Sequence, residues 1–159
     1  MVQFLYGIFL SSPTLWLVRS EPCFHEIRPG LYVGRRPFAH ELPPQIEVIV
    51  DLTAEFPEPA AVRSGRRYLC LPTLDALVPA DSDFRNLLEE VLPISQPMYI
   101  HCAEGHGRSG TLAAAILVLK RLAQDVDEAI TKLQAVRPGI GLRKEQKALV
   151  TRVCGDRAT

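Results

Sequence analysis

The chain has little of what marks specialised protein classes. It carries four cysteines in 159 residues, Cys23, Cys70, Cys102 and Cys154. They form no C-x-x-C pair and are too few and too dispersed for a disulfide scaffold, which points to a reducing compartment. The even count still leaves room for two bridges. Excess charge is absent as well: 18 Lys and Arg balance 18 Asp and Glu. No global basic field exists, so nothing argues for a nucleic-acid partner. Internal repeats and low-complexity tracts are missing too. What remains is a chain of one-domain length, long enough to bury a core without disulfides or metals.

Charge is also missing locally. Residues 2–18 read VQFLYGIFLSSPTLWLV, with none before Arg19. The run is slightly short for a membrane span and contains Pro13. It lacks the basic start and the cleavage site of a signal peptide. It reads either as a membrane-associated segment or as an apolar arm packed on the domain. We therefore divide the chain into an N-terminal arm, 1–25, and a domain, 26–159. The expected location is cytoplasmic, free or at the cytoplasmic face of a membrane.

From Glu26 on, strand-like and helix-like segments alternate. "IRPGLYVG" (27–34) predicts a hairpin turning at Arg28-Pro29-Gly30. "IEVIVDL" (46–52) and "RRYLCL" (66–71) predict strands. The intervening "TAEFPEPAAVRSG" reads as a loop with a short helical turn. "FRNLLEEVL" places Phe84, Leu87, Leu88, Val91 and Leu92 on one helical face, and Pro93 stops it. "PMYIH" (97–101) predicts a strand, and "SGTLAAAILVLKRLA" (109–123) a buried helix. "DVDEAITKLQAV" (125–136) opens with Asp125 as N-cap and Glu128 three residues later. "LRKEQKALVTRVC" (142–154) predicts a final amphipathic helix. The pattern implies an α/β fold, a sheet covered by helices.

Between the fifth predicted strand and the apolar helix stands "YIHCAEGHGRSGT" (99–111). Cys102 closes a strand and Arg108 opens a helix. The backbone from Ala103 through Glu104, Gly105, His106 and Gly107 can curl so that its N–H groups point inward. Such a nest binds an anion, and the helix N-terminus adds its positive end. The glycines supply the backbone freedom. Arg108 can close the ring with two parallel hydrogen bonds to phosphate oxygens. A thiol at the centre of that field favours its thiolate form. It is then a nucleophile for phosphoryl transfer through a phospho-cysteine intermediate. Ser109 can donate to the sulfur as it leaves. His101 points to the other side of the strand and is expected to hold the loop through hydrogen bonds.

The leaving oxygen needs a proton, and the hydrolytic water must lose one. An Asp on a movable loop does both. Asp75, in "LPTLDALVP", is the best candidate. Asp81 and Asp83 are rivals, but their place beside "FRNLLEEV" suits helix capping better. Glu104 and His106 read either as solvated rim positions or as determinants of substrate choice. Cys70 reads as a buried strand cysteine rather than a redox partner of Cys102. A zinc site on His101, Cys102 and His106 lacks a second cluster of ligands. "GRSGT" is not the G-x-S-x-G of a serine hydrolase.

HCAEGHGRSGT resembles the H-C-x5-R-S/T signature of the cysteine-dependent protein tyrosine phosphatase superfamily. The short domain and early Asp resemble its compact dual-specificity members, of atypical or bacterial type. "IRPGLYVGRRP", "VIVDLTAEF", "LPTLD" and "LRKEQ" extend the similarity over roughly residues 26 to 154. The resemblance implies a central mixed sheet of four to five strands flanked by helices. It implies Cys102 as nucleophile, Arg108 as phosphate ligand, Asp75 as general acid, Ser109 as assistant to the thiolate, and a shallow pocket of broad specificity. No cofactor or metal is expected. The substrate would be a phosphorylated protein, bearing phosphotyrosine and phosphoserine or phosphothreonine. A phospholipid head group, reached through membrane contact by residues 2–18, is the alternative. A rhodanese-type sulfurtransferase and an inactive phospho-binding module fit the residues less well.

Overall fold

A computed structural model describes residues 21–155. The apolar run at 2–18 and most of the proposed arm lie outside the described residues. Strand β1 spans Phe24–Arg28 and β2 spans Leu31–Arg35. They pair antiparallel through a turn at Gly30, whose φ of +80° suits glycine. The arm-domain boundary drawn at residue 25 therefore cuts through the first strand.

After a 3-10 turn at Ala39–Glu41 come β3 (Val48–Thr53), a short helix α1 (Ala60–Arg63) and β4 (Arg67–Thr73). Helix α2 (Asp81–Val91) leads to β5 (Met98–Cys102). Three helices follow: α3 (Gly107–Leu119), α4 (Val126–Val136) and α5 (Lys144–Gly155). The sheet has five strands in the order β1-β2-β5-β3-β4, with β5 parallel to both β2 and β3, and β3 parallel to β4. This is the mixed α/β sheet the sequence implies.

Side-chain alternation divides the sheet between two cores. Val48, Val50, Leu52, Met98, Ile100 and Cys102 face the large core formed with α2 to α5. Ile49 and Tyr99 face a smaller core with Tyr32, Leu42, Ile46 and Val62. All five residues of β5 are buried, as a central parallel strand requires. Because β2, β5, β3 and β4 run the same way, the loops after their C-terminal ends gather at one edge. That edge is where open α/β sheets bind ligands.

Several expectations need correction. Neither Asp81 nor Asp83 caps α2: the N-cap is Ala80, and both acids sit in the first turn. Asp81 instead accepts two hydrogen bonds from Arg152, at 2.8 and 2.9 Å. Cys70 is exposed rather than buried, because β4 is an edge strand with little covering it. Helix α3 stops at Leu119, short of the predicted 123, because Arg121 takes a left-handed φ of 57°. Asp125 does cap α4, accepting from the Glu128 N–H at 2.8 Å.

Candidate active site

Cys102 ends β5 and its side chain is buried at the edge of the large core. The chain then turns through residues 103–106 into α3. At Gly105 φ is +80°, and the Gly105 N–H points back to Cys102 Sγ at 3.3 Å. Ser109, in the first turn of α3, places Oγ 3.5 Å from the same sulfur. The first turn of α3 carries no acidic residue, so the positive end of the helix faces the thiol uncompensated. Predicted nucleophile, loop amide and hydroxyl thus converge on one atom.

Arg108 is buried beside them. Its Nη1 donates to the Thr73 carbonyl at 2.6 Å and to both carboxylate oxygens of Glu55, at 2.8 and 2.9 Å. Burial would lower the guanidinium pKa, but Glu55 together with Cys102 and Asp75 outweighs it and the net shift is upward. For Glu55, burial pushes the carboxyl up, and the Arg108 hydrogen bonds and charge together with backbone N–H donors bring it below its ordinary value. Glu55 also accepts the Asp75 N–H at 2.7 Å. It therefore ties the phosphate-loop arginine to the loop carrying the proposed acid. Asp75 leaves its carboxylate 74% exposed, with Oδ1 3.6 Å from Arg108 Nη2. One edge of the guanidinium remains open: Nε is buried and has no hydrogen-bond partner.

The loop is braced from beneath by a residue the sequence reading missed. Arg137, at the end of α4, is fully buried. Its Nε donates to Gly105 O at 2.9 Å and its Nη2 to Glu104 O at 3.2 Å. Its Nη1 reaches Pro22 O at 3.0 Å and His25 Nδ1 at 3.1 Å. Glu21 joins the cluster, 3.1 Å from Arg137 Nη2 and 2.6 Å from His106 Nε2. Burial raises the Glu21 carboxyl, but His106 and Arg137 more than offset it, leaving it below the ordinary range. His106 is therefore an anchored loop residue rather than a solvated one, whereas Glu104 is exposed.

His101 lies on the opposite face of β5 from Cys102, as predicted, but neither ring nitrogen makes a hydrogen bond. The expected hydrogen-bonded brace is absent. The ring sits instead between two buried carboxylates, Asp51 with Nδ1 at 3.9 Å and Glu58 with Nε2 at 3.6 Å. These three are the group among the described residues whose ligand atoms come within 4.8 Å of one another. Because the carboxylates face opposite nitrogens, the imidazole bridges them rather than aiming one lone pair at a shared cation.

Residues 38–150 match the family described as PTP-SAK, Swiss Army Knife protein, DSP-PTPase phosphatase domain. The putative tyrosine phosphatase 197R of Invertebrate iridescent virus 6 is 32% identical over 82 residues, covering 45% of this chain and 31% of the viral protein. The chain thus matches about a third of the viral protein's length. The active form of Tk-PTP superimposes with a TM-score of 0.72 at 25% identity, over 84% of this chain and 97% of that one. PTPMT1 in complex with PI(5)P gives 0.72 at 20% identity, over 86% of this chain and 99% of that one. The chain belongs to the DSP-PTPase phosphatase domain family of the cysteine-dependent protein tyrosine phosphatases and is a phosphoric monoester hydrolase domain.

Proposed function

We propose that the domain dephosphorylates proteins, on phosphotyrosine and on phosphoserine or phosphothreonine, through a phospho-cysteine intermediate. The observation that carries this reading is the open edge of Arg108. Glu55 and Thr73 take Nη1; Nε has no hydrogen-bond partner and Nη2 has Asp75 Oδ1 at 3.6 Å, so that edge can offer a fork to two phosphate oxygens once Asp75 swings aside. Cys102 Sγ attacks phosphorus; an S–P bond forms as the P–O bond to the substrate breaks. Asp75 gives its proton to the departing oxygen. Water then attacks phosphorus, Asp75 takes the water's proton, and the S–P bond breaks to release phosphate. The returning thiolate is met by Ser109 Oγ and the Gly105 N–H.

A second reading, a phospholipid head-group phosphatase, has its own support. The large hydrophobics exposed among the described residues are Phe38, Phe56, Leu74 and Leu77. All sit on loops after the C-terminal ends of β2, β3 and β4, at the edge carrying Cys102, and Leu74 and Leu77 flank Asp75. PTPMT1, of the same fold, is seen in complex with PI(5)P. The test is hydrolysis of an aryl phosphate with chelator present, by the wild type and by Cys102→Ser. Loss of turnover in the variant is expected; turnover that survives would sink the mechanism. Phosphopeptides compared with phospholipid vesicles, using the full chain and one lacking residues 1–20, then separate the two substrates.

A further inference from the structure

The buried group on the far side of β5 plays no part in the chemistry above. Asp51 already has three donors: Oδ1 accepts from the Thr53 N–H at 2.8 Å and from Thr53 Oγ1 at 2.6 Å, and Oδ2 accepts from Tyr68 at 2.7 Å. Its Oδ1 lies 3.9 Å from His101 Nδ1, and a carboxylate oxygen on that side favours an N–H on that ring nitrogen. A neutral imidazole then presents the lone pair of Nε2 to Glu58 Oε2, acceptor against acceptor. Glu58 Oε1 is enclosed and unpartnered as well. A proton between Glu58 and His101 removes the conflict, and only a neutral carboxyl can donate one without charging the ring.

We propose that Glu58 is a positioning residue that works in its neutral form: its carboxyl O–H is directed at His101 Nε2, 3.6 Å away in this structure, keeps the imidazole uncharged, and so steadies the strand end that presents Cys102. The inference rests on the reaction proposed above. Loss of that proton leaves a second buried negative charge in the pocket. That charge draws on Arg36, whose Nε lies 3.4 Å from Glu58 Oε2. Arg36 in turn donates its backbone N–H to the Ala103 carbonyl of the catalytic loop at 3.3 Å. Glu58 thus reaches the loop by two routes, through His101 and through Arg36.

The charged surroundings agree. Burial and the Asp51 charge push Glu58 up to about 7, with Arg36 and, from α1, Arg63 acting the other way. From β4, Tyr68 binds Asp51, and Cys70 feels the Glu58 charge. Burial lowers His101, helped by Arg36 and Arg108 and opposed by Asp51 and the Cys102 backbone.

The test compares pH profiles of kcat/KM for an aryl phosphate with a good leaving group. Both proteins carry Asp75→Asn, so that the general acid adds no alkaline limb; one also carries Glu58→Gln. With Glu58 present, kcat/KM should fall about tenfold from pH 6 to 8.5, and with Gln less than about threefold. Identical limbs would overturn the proposal. A second measurement needs neither variant nor turnover: imidazole 15N shifts of His101 in the wild type. A neutral ring protonated at Nδ1 is expected at pH 6.5, and an imidazolium there would overturn the proposal. Should the wild type fail to hydrolyse aryl phosphates at all, the phosphatase reading fails, while the NMR result still decides the state of the pair.

Discussion

Replacing Arg137 by Met tests whether the catalytic loop is held by its own backbone or from beneath. Met keeps much of the length and apolar volume but removes every donor. Three backbone carbonyls lose a charged partner: Gly105 and Glu104 in the loop and Pro22 before β1. Glu21 loses one of its two partners and keeps His106. Hydrogen bonds to a charged donor are worth about 1.5–3 kcal/mol each, so simple addition over three carbonyls reaches roughly 5–9 kcal/mol. Such terms do not add, and water can reach carbonyls that the arginine now covers. Breaking a buried pair by removing one partner costs about 3–5 kcal/mol, and that is the expected loss. At about 2–4 °C per kcal/mol for a domain of this size, Tm should fall by about 6–20 °C. The readouts are urea unfolding at pH 7 and the competitive inhibition constant of inorganic phosphate. Freed carbonyls at Glu104 and Gly105 should let the loop relax, so phosphate should bind about tenfold more weakly. His25 supplies an internal control. Burial, and next the Arg137 charge, hold its pKa below the ordinary value, so it should titrate higher in the variant. A stability loss under about 1 kcal/mol with unchanged phosphate inhibition would refute the brace.

The signals legible in the sequence were local ones. The apolar, β-branched run in "IEVIVDL", the short strand in "PMYIH", the turn at Arg28-Pro29-Gly30 and the cap at Asp125 each follow from neighbours within a few residues, and each appears in the structure. The loop around Cys102 was legible for the same reason. One stretch holds Cys102, the loop amide of Gly105 and Ser109, the proposed nucleophile with two groups that face its sulfur. What stayed hidden depends on strand order. Glu55 reaches Arg108 only because β3 lies beside β5 and its loop empties onto the same edge. "TAEFPEP" offers two acids, Glu55 and Glu58, and composition alone does not say that one meets Arg108 while the other turns under His101. Arg137 stands in "AVRPG", a sequence that signals only a helix end. Its burial follows from α4 packing against α3 and β1, which brings its guanidinium under the loop. Cys70 was misplaced for the converse reason: a strand pattern does not reveal which strand is the sheet's edge.

Two further substitutions probe the site itself. Asp75→Asn should slow substrates with poor leaving groups far more than those with good ones, because only the former need the proton. Equal slowing of both series in steady-state kinetics would move the acid elsewhere. Gly105→Ala probes the loop backbone. A methyl there would lie 2.5 Å from both Arg35 N and Gly34 O, and these are backbone atoms that cannot rotate away. The φ of +80° adds about 1 kcal/mol for any residue with a Cβ. The loop must therefore shift outward, carrying the Gly105 N–H off Cys102 Sγ and stretching the Arg137 bond to Gly105 O. The clash lies between β2 and the loop rather than inside either core, so circular dichroism should still report a folded domain. Losing the amide that faces the sulfur is comparable to losing one oxyanion donor, so kcat/KM should fall by about 100-fold. A folded variant within about threefold of wild type would show that this amide does not set the reactivity of Cys102.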